Sequence, residues 1–95
     1  MFNSKVNIGI ERLRVTKNNT IVMLEGNRII NSMNIDDQFS LTLVNSELKL
    51  KYQNRQKSWV IVSNNLFSTT KLMKQLADTL TLYRQQITAA IGIFN

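Results

Sequence analysis

The chain has 95 residues (1–95), enough for a single domain, and it contains no histidine, cysteine or proline. These absences exclude histidine-based triads, cysteine nucleophiles and the usual zinc sites, so we predict no enzyme activity, no metal and no cofactor. Twelve lysines and arginines against six acidic residues give a formal net charge of +6, which favours an anionic partner: nucleic acid, a phospholipid surface or an acidic protein.

No segment has the length of a membrane span. The longest apolar run covers residues 89–94, far short of the ~20 residues that a spanning helix needs. No apolar stretch of signal-peptide length follows the N-terminus either. We therefore expect no transmembrane segment and a cytoplasmic location, in the producing cell or in an infected one.

The first predicted strand changes phase along its length. Its apolar side chains alternate up to Ile10 and resume out of phase at Leu13 and Val15. One extra residue near Glu11 and Arg12, a β-bulge, would bring both halves onto one face.

Two-residue turns at Asn18-Asn19 and Gly26-Asn27 are predicted to join the next strands. The apolar pairs that result are Val15 with Val22, Leu13 with Leu24, and Leu24 with Ile29. A tight turn at Asp36-Asp37 would pair Met33 with Ser40, which is a poor match. We therefore predict that the chain crosses between layers there, or uses a wider loop.

A hairpin turn at Asn45-Ser46 has the best-defined register, because a slip of one residue would destroy its apolar matches. A four-residue loop at residues 54–57 would then set Tyr52 against Trp59 and Leu50 against Ile61. The predicted core surface consists of Phe39, Leu41, Leu43, Leu48, Leu50, Tyr52, Trp59 and Ile61.

After Ser68 the apolar period changes from that of strands to that of one long helix. The helical stripe consists of Thr69, Met73, Leu76, Leu80, Tyr83, Ile87, Ala90 and Phe94. Ser68 is the expected N-cap and Gly92 the expected stop, with the helix over about residues 68–91. We predict an α+β fold in which five to six antiparallel strands within residues 5–63 form a curved sheet, a meander or half-barrel, packed by this C-terminal helix.

The predicted helix is longer than the sheet that it covers. At about 1.5 Å per residue it reaches roughly 36 Å, whereas a six-residue strand spans about 20 Å. The overhanging apolar end needs a partner, and we predict a two-fold homodimer. The alternative is that this end folds back on its own domain. The oligomer contacts would be Ile87, Ala90, Ile91 and Phe94.

The predicted registers place cations beside aliphatic side chains on the sheet face opposite the core. Arg12 and Arg14 would lie beside Ile21 and Met23, and Lys49 and Lys51 beside Val60 and Val62. Two interpretations remain open. Cationic stems cover exposed aliphatic groups, or the face is a contact surface for phosphates and for bases or a protein.

The segment 49–57 holds four cations (Lys49, Lys51, Arg55 and Lys57) and no acid, which is typical of grooves that hold single strands. Tyr52 and Trp59 would serve there as stacking platforms, but the predicted register favours the core for both rings. Lys71 and Lys74 near the start of the helix are a further possible anion site.

Several strands followed by one long helix, with basic charge, resemble the layout of Whirly-type and transcriptional-coactivator-type single-strand binders, which dimerise through their helices. The same element order is similar to that of PH-like domains, whose partners are mostly proteins and lipids. We predict a non-enzymatic, self-associating domain that binds single-stranded nucleic acid, with Arg12, Arg14, Lys49, Lys51, Arg55 and Lys57 on phosphates. The alternative is a small adaptor, inhibitor or assembly protein that docks on another protein through the amphiphilic sheet face or the apolar helix end.

Overall fold

The computed structural model describes residues 4–53 and 56–93. Within them the chain forms seven strands, a short 3-10 turn and one helix. The strands are β1 Ser4–Gly9, β2 Leu13–Val15, β3 Thr20–Glu25, β4 Arg28–Asn34, β5 Phe39–Val44, β6 Glu47–Tyr52 and β7 Lys57–Val62. The 3-10 turn is Ile10–Arg12, and the helix α1 is Leu66–Ile93.

The strands form two sheets that share one core. The larger sheet has the order β1-β7-β6-β5 and the smaller has the order β2-β3-β4. The α+β class with one C-terminal helix is confirmed. The prediction of a single curved antiparallel sheet is wrong, because the seven strands divide between two sheets and β1 runs parallel to β7.

The change of phase near Glu11 is a 3-10 turn rather than the predicted bulge. It lets β1 end in the larger sheet and β2 begin in the smaller one. Ile8 before the turn and Leu13 after it are both buried. The two strands therefore contribute to the same core from different sheets.

The register of β2 against β3 differs from the prediction by one residue. Leu13 pairs with Met23 and Val15 pairs with Ile21. Three residues rather than two form the loop, because the Thr16 N–H donates to the Thr20 carbonyl at 2.9 Å. The loop ends on a left-handed residue, Asn19 at φ 55, as three-residue hairpin loops do.

The pairing of Leu24 with Ile29 is confirmed, with a bulge between Met23 and Leu24. The crossing between layers at Asp36 is also confirmed, since β4 belongs to the smaller sheet and β5 to the larger. The Asp36 carboxylate holds this crossing. It accepts the Gln38 N–H at 2.9 Å and the Tyr52 hydroxyl at 2.8 Å.

The register of β5 against β6 is confirmed in full, from Phe39 opposite Tyr52 to Val44 opposite Glu47. Its turn residues Asn45 and Ser46 have φ of 52 and 66, the combination that two-residue hairpins favour.

The register of β6 against β7 differs from the prediction by two residues. Tyr52 lies opposite Lys57, and Leu50 lies opposite Trp59. The predicted loop at residues 54–57 begins and ends one residue earlier, because β7 already starts at Lys57. A shift of two residues keeps every side chain on its predicted face.

The core draws on both sheets and the helix. Of the predicted core surface, six residues are buried and Leu41 is partly buried, but Leu43 is 46% exposed and lies outside the core. Trp59 is fully buried, and its indole N–H has no hydrogen-bond partner in the described part of the chain. The buried core cluster is Ile8, Leu13, Ile21, Met23, Met33, Ile35, Phe39, Leu48, Leu50, Tyr52, Trp59, Ile61, Leu72, Leu76 and Leu80.

The helix begins at Leu66 and extends through Gly92, so the predicted cap at Ser68 and stop at Gly92 are wrong. Asn65 caps it instead, since its side-chain oxygen accepts the Ser68 N–H at 3.2 Å. Leu72, Leu76 and Leu80 are buried, whereas all side chains of residues 84–89 are exposed. Residues 84–89 of α1 therefore extend beyond the core. The helices in the described part of the chain contain no stretch apolar enough to cross a membrane.

Candidate anion-binding surface

The candidate site lies on the outer face of the larger sheet, which is the face turned away from the core and α1. Its position follows from strand alternation: Leu48, Leu50 and Tyr52 point into the core, so Lys49 and Lys51 point outward. The registers build two cross-strand rows on this face. One row is Ser40, Lys51 and Ser58, and the other is Thr42, Lys49, Val60 and Asn7.

A groove of about 370 Å³ lies where this face meets the β6–β7 loop. Lysine, hydroxyl and amide side chains supply its polar lining, and none of the described residues that line it is acidic. The lining residues are Lys49, Lys51, Tyr52, Gln53, Gln56, Lys57, Ser58 and Val60. We call this concavity the lysine groove.

Lys49 and Lys51 bring unpaired positive charge to the lysine groove. Lys49 is half-buried and Lys51 is exposed. Within residues 4–53 and 56–93 the one ion pair joins Lys74 and Asp78, so neither groove lysine is neutralised by a described carboxylate. Because a lysine ammonium binds phosphate as a point charge, this pair can hold an anion.

Lys57, the third lysine of the groove and a predicted phosphate contact, has partners within the fold. Its ammonium donates to the Asn31 side-chain oxygen at 2.9 Å and to the Ser32 carbonyl at 2.7 Å. Both acceptors belong to β4 of the smaller sheet. Lys57 therefore ties the start of β7 to the other sheet and fixes the wall of the groove.

The aliphatic residues predicted beside the lysines are partly in place. Lys49 lies opposite Val60 on the outer face, while Lys51 lies opposite Ser58 instead of a valine. Val60 is 3% exposed and Val62 is 52% exposed. Neither valine belongs to the core cluster that α1 covers. Burial of Val60 on an outer face is consistent with the stem of its lysine neighbour covering it.

The arginines predicted to share this surface lie elsewhere. Arg12 and Arg14 flank or belong to β2 of the smaller sheet, and the predicted neighbours Ile21 and Met23 are buried in the core. The odd-length loop before β3 reverses which β3 side chains face outward, so Arg14 lies opposite Val22. The structure therefore divides the predicted cation face between two different sheets that share one core.

Both arginines also have backbone partners. The Arg12 Nε donates to the Leu24 carbonyl at 3.1 Å. The Arg14 guanidinium donates to the carbonyl of Leu13 at 2.7 Å and to that of Glu11 at 2.9 Å. These contacts hold the arginines against their own sheet.

The two aromatic residues of the basic hairpin are core residues. Trp59 is fully buried, and Tyr52 is 7% exposed with its hydroxyl bound to Asp36. The predicted preference for the core is confirmed for both rings. The lysine groove therefore offers charge and hydrogen-bond donors rather than stacking platforms.

The start of α1 differs from the one on which the predicted anion site was based, and anion binding by Lys71 and Lys74 stays a prediction. Since α1 begins at Leu66, Lys71 and Lys74 lie beyond its first turn. Lys74 is paired with Asp78 at 3.1 Å. The first turn of α1 is capped by Asn65 instead.

Four predicted contact residues cannot be placed in this site. Arg55 and Phe94 lie outside the described residues, as do the side chains of Ala90 and Ile91. Sequence reasoning missed the polar lining of Gln53, Gln56 and Ser58. Only the correct β6–β7 register would have placed Ser58 beside Lys51.

No family model, curated protein or solved structure matches this chain. Residues 4–53 and 56–93 contain no cluster of three or more acidic side chains that could hold a metal ion.

Proposed function

We propose that the protein is a non-enzymatic binding domain that holds the phosphate backbone of a single-stranded nucleic acid in the lysine groove. The observation that carries the proposal is the pair Lys49 and Lys51, which line a concave surface and have neither an ion-pair partner nor a lining carboxylate among residues 4–53 and 56–93. Net charge of +6 adds a favourable long-range field for a polyanion.

The geometry suits a chain of phosphates. Lys49 and Lys51 are two residues apart on one strand, so their Cα atoms are about 7 Å apart on the same face. Gln53, Gln56 and Ser58 add neutral donors along the same groove. An unpaired strand can bend its phosphates into a concave surface, whereas a duplex presents them on a convex one.

The same geometry limits selectivity and affinity. Because Tyr52 and Trp59 are buried, bases have no exposed aromatic ring of this hairpin to stack on. Binding then depends on phosphate contacts, which carry no sequence information and weaken steeply as salt concentration rises.

The test is a titration of a labelled, unstructured oligonucleotide by fluorescence anisotropy at several salt concentrations. Lys49→Ser/Lys51→Ser should weaken binding and lower the slope of log K against log salt by about 1.4, since each single-strand phosphate contact contributes about 0.7.

The matched control is Lys17→Ser/Lys71→Ser. It removes two exposed lysines outside the groove and lowers the formal net charge by the same two units. It should retain the wild-type slope. Equal losses in the two double variants, or no binding by the wild type at low salt, would refute the proposal.

A second candidate function is an adaptor or assembly protein that docks through α1. Leu82 is 58% exposed and Ile87 is 45% exposed, and Ile87 lies on the part of the helix that extends beyond the core. Together with Ala90, Ile91 and Phe94 this end remains the proposed contact for a protein partner or for self-association. Ile87→Ser/Ile91→Ser should abolish such docking while it leaves the oligonucleotide salt slope unchanged.

A further inference from the structure

The strand β5 is a sheet edge that α1 contacts but does not cover along its length, since Leu43 and Val44 stay 46% and 43% exposed. Natural proteins discourage edge pairing with charged residues, prolines, bulges, very short strands or a covering group. β5 has six residues in the sequence FSLTLV, which contains no charge and no proline, and it pairs with β6 without a bulge.

The other three edges each have such a feature. β2 is only three residues long and carries Arg14. β4 pairs through a bulge, and its Ser32 carbonyl is bound by the Lys57 ammonium. β1 carries Lys5 in its sequence. The contrast identifies β5 as the edge that is left available for pairing.

The β5–β6 hairpin fixes which backbone groups point outward. In a two-residue hairpin the closing pair, here Val44 and Glu47, exchanges hydrogen bonds, and the pattern then alternates along the strand. Leu41 and Leu43 are therefore the residues whose N–H and C=O groups point away from β6. No other hydrogen bond occupies these groups within the described part of the chain.

This edge is complementary to itself. If two antiparallel copies of β5 meet with Thr42 opposite Thr42, each Leu41 lies opposite a Leu43 of the other copy. The two leucine pairs then exchange four backbone hydrogen bonds. Leu43, which is 46% exposed in the single chain, gains an apolar neighbour on the same face.

We propose that a second copy of this chain pairs along β5 and forms one continuous eight-stranded sheet about a two-fold axis at Thr42. Repulsion between the copies is weak there, because the two Lys49 positions are three strand spacings apart, about 14 Å. This distance exceeds the Debye length of about 8 Å at physiological ionic strength.

The two-fold axis is perpendicular to the sheet, so the outer faces of both copies point the same way. Each groove lies toward the β6–β7 loop end of its copy, so the two grooves lie diagonally across the axis on one surface, and one strand of phosphates that crosses the axis can engage both. This consequence rests on the proposed function, whereas the pairing of β5 does not.

The test uses sedimentation velocity on Thr42→Lys, on Thr42→Glu and on their equimolar mixture. Thr42 is exposed on the outer face, and like charges placed directly opposite one another at the axis destabilise pairing. We expect the wild type to be dimeric, each variant alone to dissociate at least about fivefold more readily, and the mixture to regain dimerisation through Lys–Glu pairs.

Leu43→Pro is a second variant that tests pairing along β5. It removes an outward-pointing N–H while it leaves the hydrogen bonds between β5 and β6 intact, and proline is tolerated at edges in this way. Thermal melts confirm that each variant is folded. A monomeric wild type, or variants that stay dimeric, would overturn the proposal.

Two controls separate this proposal from the others. Lys49→Ser/Lys51→Ser should weaken oligonucleotide binding but leave the dimer intact, so binding and pairing can fail independently. Ile87→Ser should also leave the dimer intact. Loss of the dimer in Ile87→Ser, with Thr42→Lys still dimeric, would place the second copy on the helix end instead.

Discussion

Replacing Lys57 with methionine separates a structural lysine from a ligand-binding one. The substitution keeps the apolar stem and removes the ammonium that donates to Asn31 at 2.9 Å and to Ser32 at 2.7 Å. Hydrogen bonds to charged groups contribute about 1.5–3 kcal/mol each when buried. Because one of these bonds is solvent-exposed, we expect a loss of about 2 kcal/mol in the free energy of unfolding. For a domain of this size the melting temperature should fall by roughly 8–16 °C.

Lys51→Met is the matched control, because Lys51 loses the same charge but is exposed and has no described partner. It should leave the urea midpoint unchanged and reduce the oligonucleotide salt slope by about 0.7. Lys57→Met should have the opposite effects. Its urea midpoint should fall with an unchanged m-value, and the folded protein should keep the wild-type salt slope of oligonucleotide binding. A stable Lys57→Met protein with a reduced slope would refute the structural role of Lys57 and restore it as a phosphate contact.

Two further predictions concern the fold. Leu76→Ala, at a fully buried position of α1, should lower the free energy of unfolding by about 2–4 kcal/mol, measured with urea. Leu82→Ala on the exposed face should lower it by under about 0.5 kcal/mol. Similar losses of stability in the two variants would mean that α1 packs on a different face. Ser46→Gly should raise the melting temperature, because Ser46 has φ 66 and glycine removes a cost of about 1–2 kcal/mol in this conformation; a lower melting temperature would contradict the assigned turn.

The β5–β6 hairpin could be predicted because local chemistry decides it. Asn45 and Ser46 tolerate the positive φ that a two-residue hairpin requires. Every flanking apolar residue then has an apolar partner in only one register. The turn residues and the apolar pattern indicate the same register, so this hairpin could be predicted without any contact between residues distant in sequence.

The β2–β3 hairpin shows how one residue changes a surface. Both Asn18 and Asn19 suit a turn, and the sequence does not say whether the loop has two residues or three. The hydrogen bond from Thr16 to Thr20 sets the longer loop, and the odd length moves Ile21 and Met23 from the outer face to the core. Because of that one residue in the loop, Ile21 and Met23 do not lie beside the arginines on the outer face, as the sequence predicted.

The parallel pairing of β1 with β7 has no local signal. It joins residues near opposite ends of the chain, for example Val6 and Trp59, and it depends on the 3-10 turn that redirects the chain after Gly9. By contrast, Lys49 and Lys51 were placed on the correct face, because the two-residue error in the β6–β7 register preserves the alternation. Of the predicted cation surface, the facing of Lys49 and Lys51 could therefore be derived from the sequence.

Mapping amide chemical shifts of the isotopically labelled protein, with and without an unstructured oligonucleotide at low salt, tests the central claim most directly. The lysine groove should respond as one patch, with the largest changes at Lys49, Lys51, Gln53, Ser58 and Val60. These changes should disappear as salt is added. Changes confined to Arg12 and Arg14 on the smaller sheet, or to the exposed end of α1, would contradict the assignment of this surface.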